Sequence, residues 1–324
     1  MKTLEVRDLC VEFDLRHGVT RALDRVSLDI DPGEAVGFVG ESGAGKSLTG
    51  LAVLGLVPAP GRIVAGEIRL SGERIDGLDD LAMQDIRGRR IGAVFQDPLS
   101  ALDPMFTVGD QLVETMQHHL RLPRRVARER AVHWLERVGI PAASQRVHDY
   151  PHQFSGGMRQ RVVIALALCA EPELVIADEP TTALDVSVQA QVLDMLRRLC
   201  REQQVAMLLV SHDLGVIAQA TDRVVVLYAG RIAEVGATRD VIRCPKHPYT
   251  QGLVQAIPRL HERRRRLMQI PGAMPPAGQR SAGCAFAPRC SICLPICETV
   301  QPRLEGSDEH RAACVRTETS HAID

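Results

Sequence analysis

Residues Gly40 to Ser47 read GESGAGKS, and further along an apolar run ends in Asp178-Glu179-Pro180. The first is phosphate chemistry. Gly40, Gly43 and Gly45 let the loop, with Glu41, Ser42 and Ala44 between them, turn successive backbone N–H groups toward phosphate oxygens. Lys46 then brings a cation to the β- and γ-phosphates, and Ser47 offers a hydroxyl to magnesium. The acids are hydrolysis chemistry: Asp178 can hold the magnesium shell, and Glu179 can polarise an attacking water. Gln96, in VFQDP, carries an amide able to meet both magnesium and water. His212, in VSHD, can reach a γ-phosphate. Each has a plainer reading alone: a glycine-rich turn, a solvated strand end, a rim histidine. Their order along the chain favours the chemical reading.

These groups need elements to position them. Val36 to Val39 forms an apolar strand that runs into the loop, and LTGLAVLGLV after it suits a helix packed beside a sheet. Leu174 to Ala177 and Val205 to Val210 are further apolar strands, each ending in polar residues, as parallel strands buried on both faces do. Ser187 to Cys200 places Val188, Val192, Leu196 and Leu199 on one helical face, a crossover helix. This predicts an α/β fold with a parallel-sheet core. Residues 97–157, which include Val126 to Val138, rich in Arg, Ala and Glu, read as an inserted helical subdomain within a core spanning 1–96 and 158–240. Residues 241–324 read as an irregular extension that adds no sheet, with KHPYTQ, the basic run Arg263 to Arg266 as a solvated face, and PGAMPPAG.

The bulk properties narrow the setting. The chain has 324 residues, 45% hydrophobic and 24% charged, a globular composition with room for a sizeable core. A formal net charge of −1 offers no basic field for nucleic acid, so no nucleic-acid partner is expected. No apolar run has the length of a signal peptide or a membrane span, which makes the cytoplasm the expected compartment.

Six motifs together carry a family resemblance. FSGGMRQR at Phe154 to Arg161 resembles the signature sequence of ATP-binding cassette proteins, with Phe154 and Met158 replacing the usual leucine and glutamine. The phosphate loop, VFQDP, LVIADEP, TALD at Thr182 to Asp185, and VSHD stand around it in the family's order. The resemblance implies a P-loop NTPase core with an antiparallel β subdomain, and ATP with Mg2+ hydrolysed between two cassettes that meet head to tail. Ser155, Gly156 and Gly157 would touch the γ-phosphate held by the other cassette, with a helix dipole behind them. Asp185 would lie at that seam. Phe13 is the candidate adenine platform, against an ordinary strand phenylalanine. Two integral membrane permease subunits, an extracytoplasmic solute-binding protein and a place at the cytoplasmic face of the inner membrane follow, with the helical region and the segment after Gln96 as docking surface. YPHQFSGGMRQR, HPYTQGL and IPGAMPPAG followed by GCAFAPRC are more narrowly similar to ATP-binding subunits of oligopeptide, dipeptide and nickel importers. The long cysteine-bearing tail points to peptide; nickel or another small solute, and a soluble non-transport ATPase, remain as alternatives.

Five of the nine cysteines fall in the tail: Cys284, Cys290, Cys293, Cys297 and Cys314. Four thiolates suffice for a 4Fe–4S cluster or a tetrahedral zinc site. The resemblance selects Cys284, Cys290, Cys297 and Cys314 for an iron–sulfur cluster. Cys293 departs from the pattern and leaves a zinc-like Cys290/Cys293 pair open, beside free thiols in a compact tail. Cys10, Cys169, Cys200 and Cys244 read as small buried hydrophobes or inert thiols.

Overall fold

The computed structural model describes residues 1–16, 18–182, 184–257 and 269–318. The Arg263 to Arg266 run and Ala183 of the TALD motif lie outside the described residues. Contacts divide the chain into two compact units: Met1–Thr3, Ile30–Glu34 and Gly77–Leu209 in one, Leu4–Asp29, Ala35–Asp76 and Val210–Asp324 in the other.

The second unit carries the phosphate loop. Its antiparallel sheet runs in the order Gly18–Ile30, Leu4–Leu15, Gly61–Leu70, Glu73–Arg74. Leu4 faces Leu70 and Val6 faces Ile68, all buried, before a bulge at Cys10 shifts the register. Its other strands run Glu305–Ser307, His310–Ala312, Arg231–Ala237, Arg223–Tyr228 and Ala35–Val39 in neighbour order. Ala35–Val39 is parallel to Arg223–Tyr228 and is buried along its whole length, which explains its unbroken apolar sequence.

Here the tail departs from expectation. Rather than adding no sheet, it contributes the hairpin of Glu305–Ser307 and His310–Ala312, which pairs with the edge of Arg231–Ala237. Three-residue strands carry too little periodicity to be read from sequence; a tertiary partner makes them. Glu234, fully buried, anchors this region. Its carboxylate accepts from the backbone N–H groups of Lys246 and His247 at 2.7 and 2.9 Å and meets His310 Nε2 at 2.6 Å.

The first unit carries the acids. Ile91–Val94 pairs in parallel with Leu174–Asp178, and Ala206–Ser211 follows in the sheet order. Residues 97–157 are helical, chiefly Val108–Leu120 and Arg124–Arg137. Thr107 caps the former by accepting from the N–H of Asp110 at 3.1 Å. Ala127, Ala131, Trp134 and Leu135 form the buried stripe of the latter. Among the described residues no helix is long and apolar enough to cross a membrane.

Candidate functional site

The phosphate loop leaves the buried strand Ala35–Val39 and closes at the helix Lys46–Val53. Backbone geometry fixes its glycines. Gly45 sits at φ 105°, and a Cβ there would lie 2.5 Å from the Leu23 side chain. At Gly40 a Cβ would meet the Leu227 carbonyl oxygen at 2.3 Å. Lys46, only 5% exposed, folds back along its own loop and donates to the carbonyls of Gly40 and Glu41 at 2.9 and 3.0 Å. Its ammonium thus rests on oxygen acceptors within the loop, the chemistry that phosphate oxygens would take over. Ser47 stands exposed in the first helical turn, beside the helix's positive end. His212, also exposed, follows the strand Ala206–Ser211 and precedes Asp213, which caps the helix Leu214–Ala220 by accepting from the N–H of Gly215 at 2.7 Å.

In the first unit Asp178 is the last residue of its strand, half-buried, and Glu179 turns the chain at φ 47°. A non-glycine residue in that left-handed region costs on the order of 1–3 kcal/mol, a strain that clusters at functional positions. The Glu179 carboxylate accepts from the Thr182 hydroxyl at 2.9 Å and from the Gln96 amide at 3.5 Å. Gln96 and Glu179, far apart in sequence, are therefore neighbours, as the chemical reading of both requires. Ser155 caps the helix Gly156–Leu168, its hydroxyl accepting from the N–H of Met158 at 3.4 Å. Gly157 has a packing duty as well: a Cβ would come within 2.7 Å of Val188. Asp185 is the exposed N-cap residue of Val186–Glu202. Phe13 lies in the antiparallel sheet opposite Gly61, half-buried, with its ring over that glycine.

The tail cysteines are partly gathered. Cys284, Cys290, Cys297 and Cys314 line one mostly apolar cavity, while Cys293 is exposed and stands outside its lining. The Cys284 N–H donates to the Cys297 carbonyl at 2.8 Å, and Gly283 permits this approach, since a Cβ there would lie 2.2 Å from that oxygen. Burial pushes the Cys284 and Cys314 thiols up, and the neighbouring sulfurs push the same way. Among the described residues, however, no group of three or more His, Cys, Asp or Glu side chains converges well enough to hold a metal ion. The expected iron–sulfur ligand set is thus not preassembled: neutral thiols in an apolar lining have no electrostatic reason to converge. Cys169 and Cys200 are buried, and burial raises both to about 12, so they are inert core groups as expected.

Residues 23–182 match the family described as ABC transporter, and residues 233–297 match the oligopeptide/dipeptide transporter C-terminal region. The dipeptide transport ATP-binding protein DppD of Bacillus subtilis is 44% identical over 97% of this chain and 94% of its own length. This chain belongs to the ATP-binding cassette family. A Brucella ovis protein bearing the name "Putative peptide import ATP-binding protein" is 46% identical over 97% of this chain and 96% of its own length. The oligopeptide transport ATP-binding protein OppD of Mycobacterium tuberculosis is 47% identical, but this chain spans only 52% of that relative's length. Among solved structures, the cassette MJ0796, dimeric and bound to ADP and Pi, aligns with TM-score 0.64 and 28% identity over 73% of this chain and 99% of its own.

Three residues close to the phosphate loop escaped the reading of the sequence: Tyr249, Met274 and Arg289. Tyr249 and Arg289 lie inside segments noted for their resemblance, HPYTQGL and GCAFAPRC. Nothing in their spacing tied them to a loop more than 200 positions away.

Proposed function

We propose that this chain is the ATP-hydrolysing subunit of a membrane importer of di- and oligopeptides. The observation that carries this reading is similarity continuing past the cassette into the peptide-transporter C-terminal region, along nearly the whole length of the Bacillus and Brucella relatives. The cassette, residues 1–240 with the helical insertion 97–157, does the chemistry, and residues 241–324 form the transporter-type extension. Lys46 and the backbone N–H groups of residues 40–47 bind the triphosphate, Ser47, Gln96 and Asp178 hold Mg2+, and His212 contacts the γ-phosphate. Bound magnesium supplies charge neutralisation on the phosphates. Glu179, held by Thr182 and Gln96, orients the water and receives its proton. Ser155, Gly156, Gly157 and Asp185 serve the partner cassette's nucleotide, so two cassettes work as a pair with two membrane permeases and a solute-binding protein at the cytoplasmic face of the inner membrane.

The cysteine cavity extends the proposal. Cys284, Cys290, Cys297 and Cys314 supply a four-thiolate donor set of the kind that takes a 4Fe–4S cluster, and Cys293, exposed and outside the cavity lining, does not belong to it. Iron and acid-labile sulfide in anaerobically purified protein test this; colourless protein with zinc alone rejects it. The transport reading is tested by co-expression with the permease pair in proteoliposomes. Peptide-loaded binding protein should stimulate ATP hydrolysis several-fold, whereas no stimulation by any peptide, or stimulation by nickel alone, rejects it.

A further inference from the structure

Glu41, the first variable position of the phosphate loop, is held on three sides. Its carbonyl accepts from Lys46 Nζ at 3.0 Å, its backbone N–H donates to the Tyr249 hydroxyl at 2.8 Å, and its carboxylate accepts from Arg289 Nη1 at 3.0 Å. The last two partners come from the C-terminal extension. Both are fixed before they reach the loop. Tyr249 is fully buried in the helix Pro248–Ala256 and packs edge-on against Tyr228, ring centres 4.7 Å apart. Arg289, 9% exposed, also donates to the Pro271 carbonyl at 2.8 Å and to the Tyr228 hydroxyl at 3.3 Å, and its guanidinium lies over the rings of Tyr228 and Phe286. A third approach is made by Met274, whose methyl group would lie 3.3 Å from a Cβ on Gly43.

A guanidinium with three acceptors and two aromatic faces has little rotamer freedom left, so it acts as a fixed point. The phosphate-binding lysine and the extension therefore share one residue of the loop. Fixing Glu41 fixes the carbonyl on which Lys46 rests, and with it the direction from which the ammonium meets a phosphate. A loop held in its binding conformation spares the ordering cost that nucleotide would otherwise meet.

We infer that Arg289 and Tyr249 are positioning residues for the nucleotide: through Glu41 they hold the phosphate loop in the conformation that takes a nucleoside triphosphate. This rests on the nucleotide-binding reading of the loop. It also gives the extension a task within its own chain. Arg289 ends the short 3-10 turn Ala287–Arg289, and Ala287 and Cys290 on either side of it line the cysteine cavity, so one turn faces both sites.

The test is equilibrium binding of mant-ATP with magnesium to the full chain. Arg289→Ala should raise Kd about tenfold, Tyr249→Phe about threefold, and Arg289→Lys should recover part of the loss, because lysine restores the charge without the fork. Glu41→Gln should weaken binding comparably to Arg289→Ala, and the double variant no more than either alone, since both break one contact. In steady-state hydrolysis the KM of Arg289→Ala should rise by a larger factor than its kcat falls, a split that general destabilisation does not produce. If Arg289→Ala does not fold, Glu41→Gln and Tyr249→Phe decide the matter. Wild-type Kd in both of those, or full additivity in the double variant, overturns the inference. Lys46→Ala is the control: wild-type protein that binds no mant-ATP at all removes the nucleotide reading itself, whereas strong binding lost only in Lys46→Ala removes the positioning role alone.

Discussion

The phosphate loop and the cysteine cavity lie in one compact unit and are built on opposite principles. The loop is made of backbone: its shape follows from Gly40 and Gly45, which have no room for a side chain, and from carbonyls already bonded to Lys46. The cavity is made of side chains: four thiols line it without converging into a ligand set. Backbone N–H groups keep their dipoles whether or not an anion is present, so a loop can be preformed. A buried thiol is neutral until a cation draws off its proton, so a thiolate site is completed by what it binds.

That contrast can be broken in four places. The largest effect is expected at Glu179, proposed to orient the hydrolytic water: Glu179→Gln should lower ATP hydrolysis roughly 10²- to 10⁴-fold, measured by phosphate release, while mant-ATP still binds. Near-normal turnover would remove Glu179 from its role. Lys46→Ala should follow at about 10²- to 10³-fold, with nucleotide binding lost as well, because the ammonium that rests on the loop carbonyls is the group proposed to meet the phosphates. The cavity should behave differently: Cys290→Ser or Cys297→Ser should abolish bound iron and sulfide by chemical assay, and Cys293→Ser should leave both unchanged. Equal loss in all three would put Cys293 back among the ligands.

The smallest effect concerns a tether beside these sites. Asp24, 8% exposed, meets Arg231 at 2.6 Å and the tail's Arg280 at 3.3 Å. Burial alone would raise its pKa, but the guanidinium groups of Arg231, Arg280 and Arg21 outweigh it and hold the carboxyl below its ordinary 3.8. A depressed carboxyl contributes stability above its unfolded pKa and loses it as pH falls through the folded one, so this contribution disappears only below about 3.8. Asp24→Asn should lower the thermal midpoint by a few degrees at pH 7, corresponding to about 1–3 kcal/mol, and the difference from wild type should shrink in acid. An undiminished difference at pH 3 would show that packing, not charge, holds the tether.

Much of the site could be read without coordinates. GESGAGKS names its own conformation, since the glycines are needed for backbone reasons that operate within a few residues. The apolar runs before Asp178 and His212 name themselves as buried strands for the same reason. The tail was harder: its hairpin strands are three residues long, and Glu234, His310, Tyr249 and Arg289 come together from positions with no shared period.

The sequence by itself determined the phosphate-binding loop and the strands that carry it, because local spacing dictates both, whereas the choice of four thiols among five came from the family resemblance. Only the tertiary structure decided that Gln96 reaches Glu179, that Cys293 is exposed and left out of the cavity lining, and that Arg289 and Tyr249 grip Glu41. Those are contacts between segments distant along the chain. No local rule selects such pairs; burial of the surrounding aromatic and aliphatic surface brings them within reach, and their hydrogen bonds then fix the geometry.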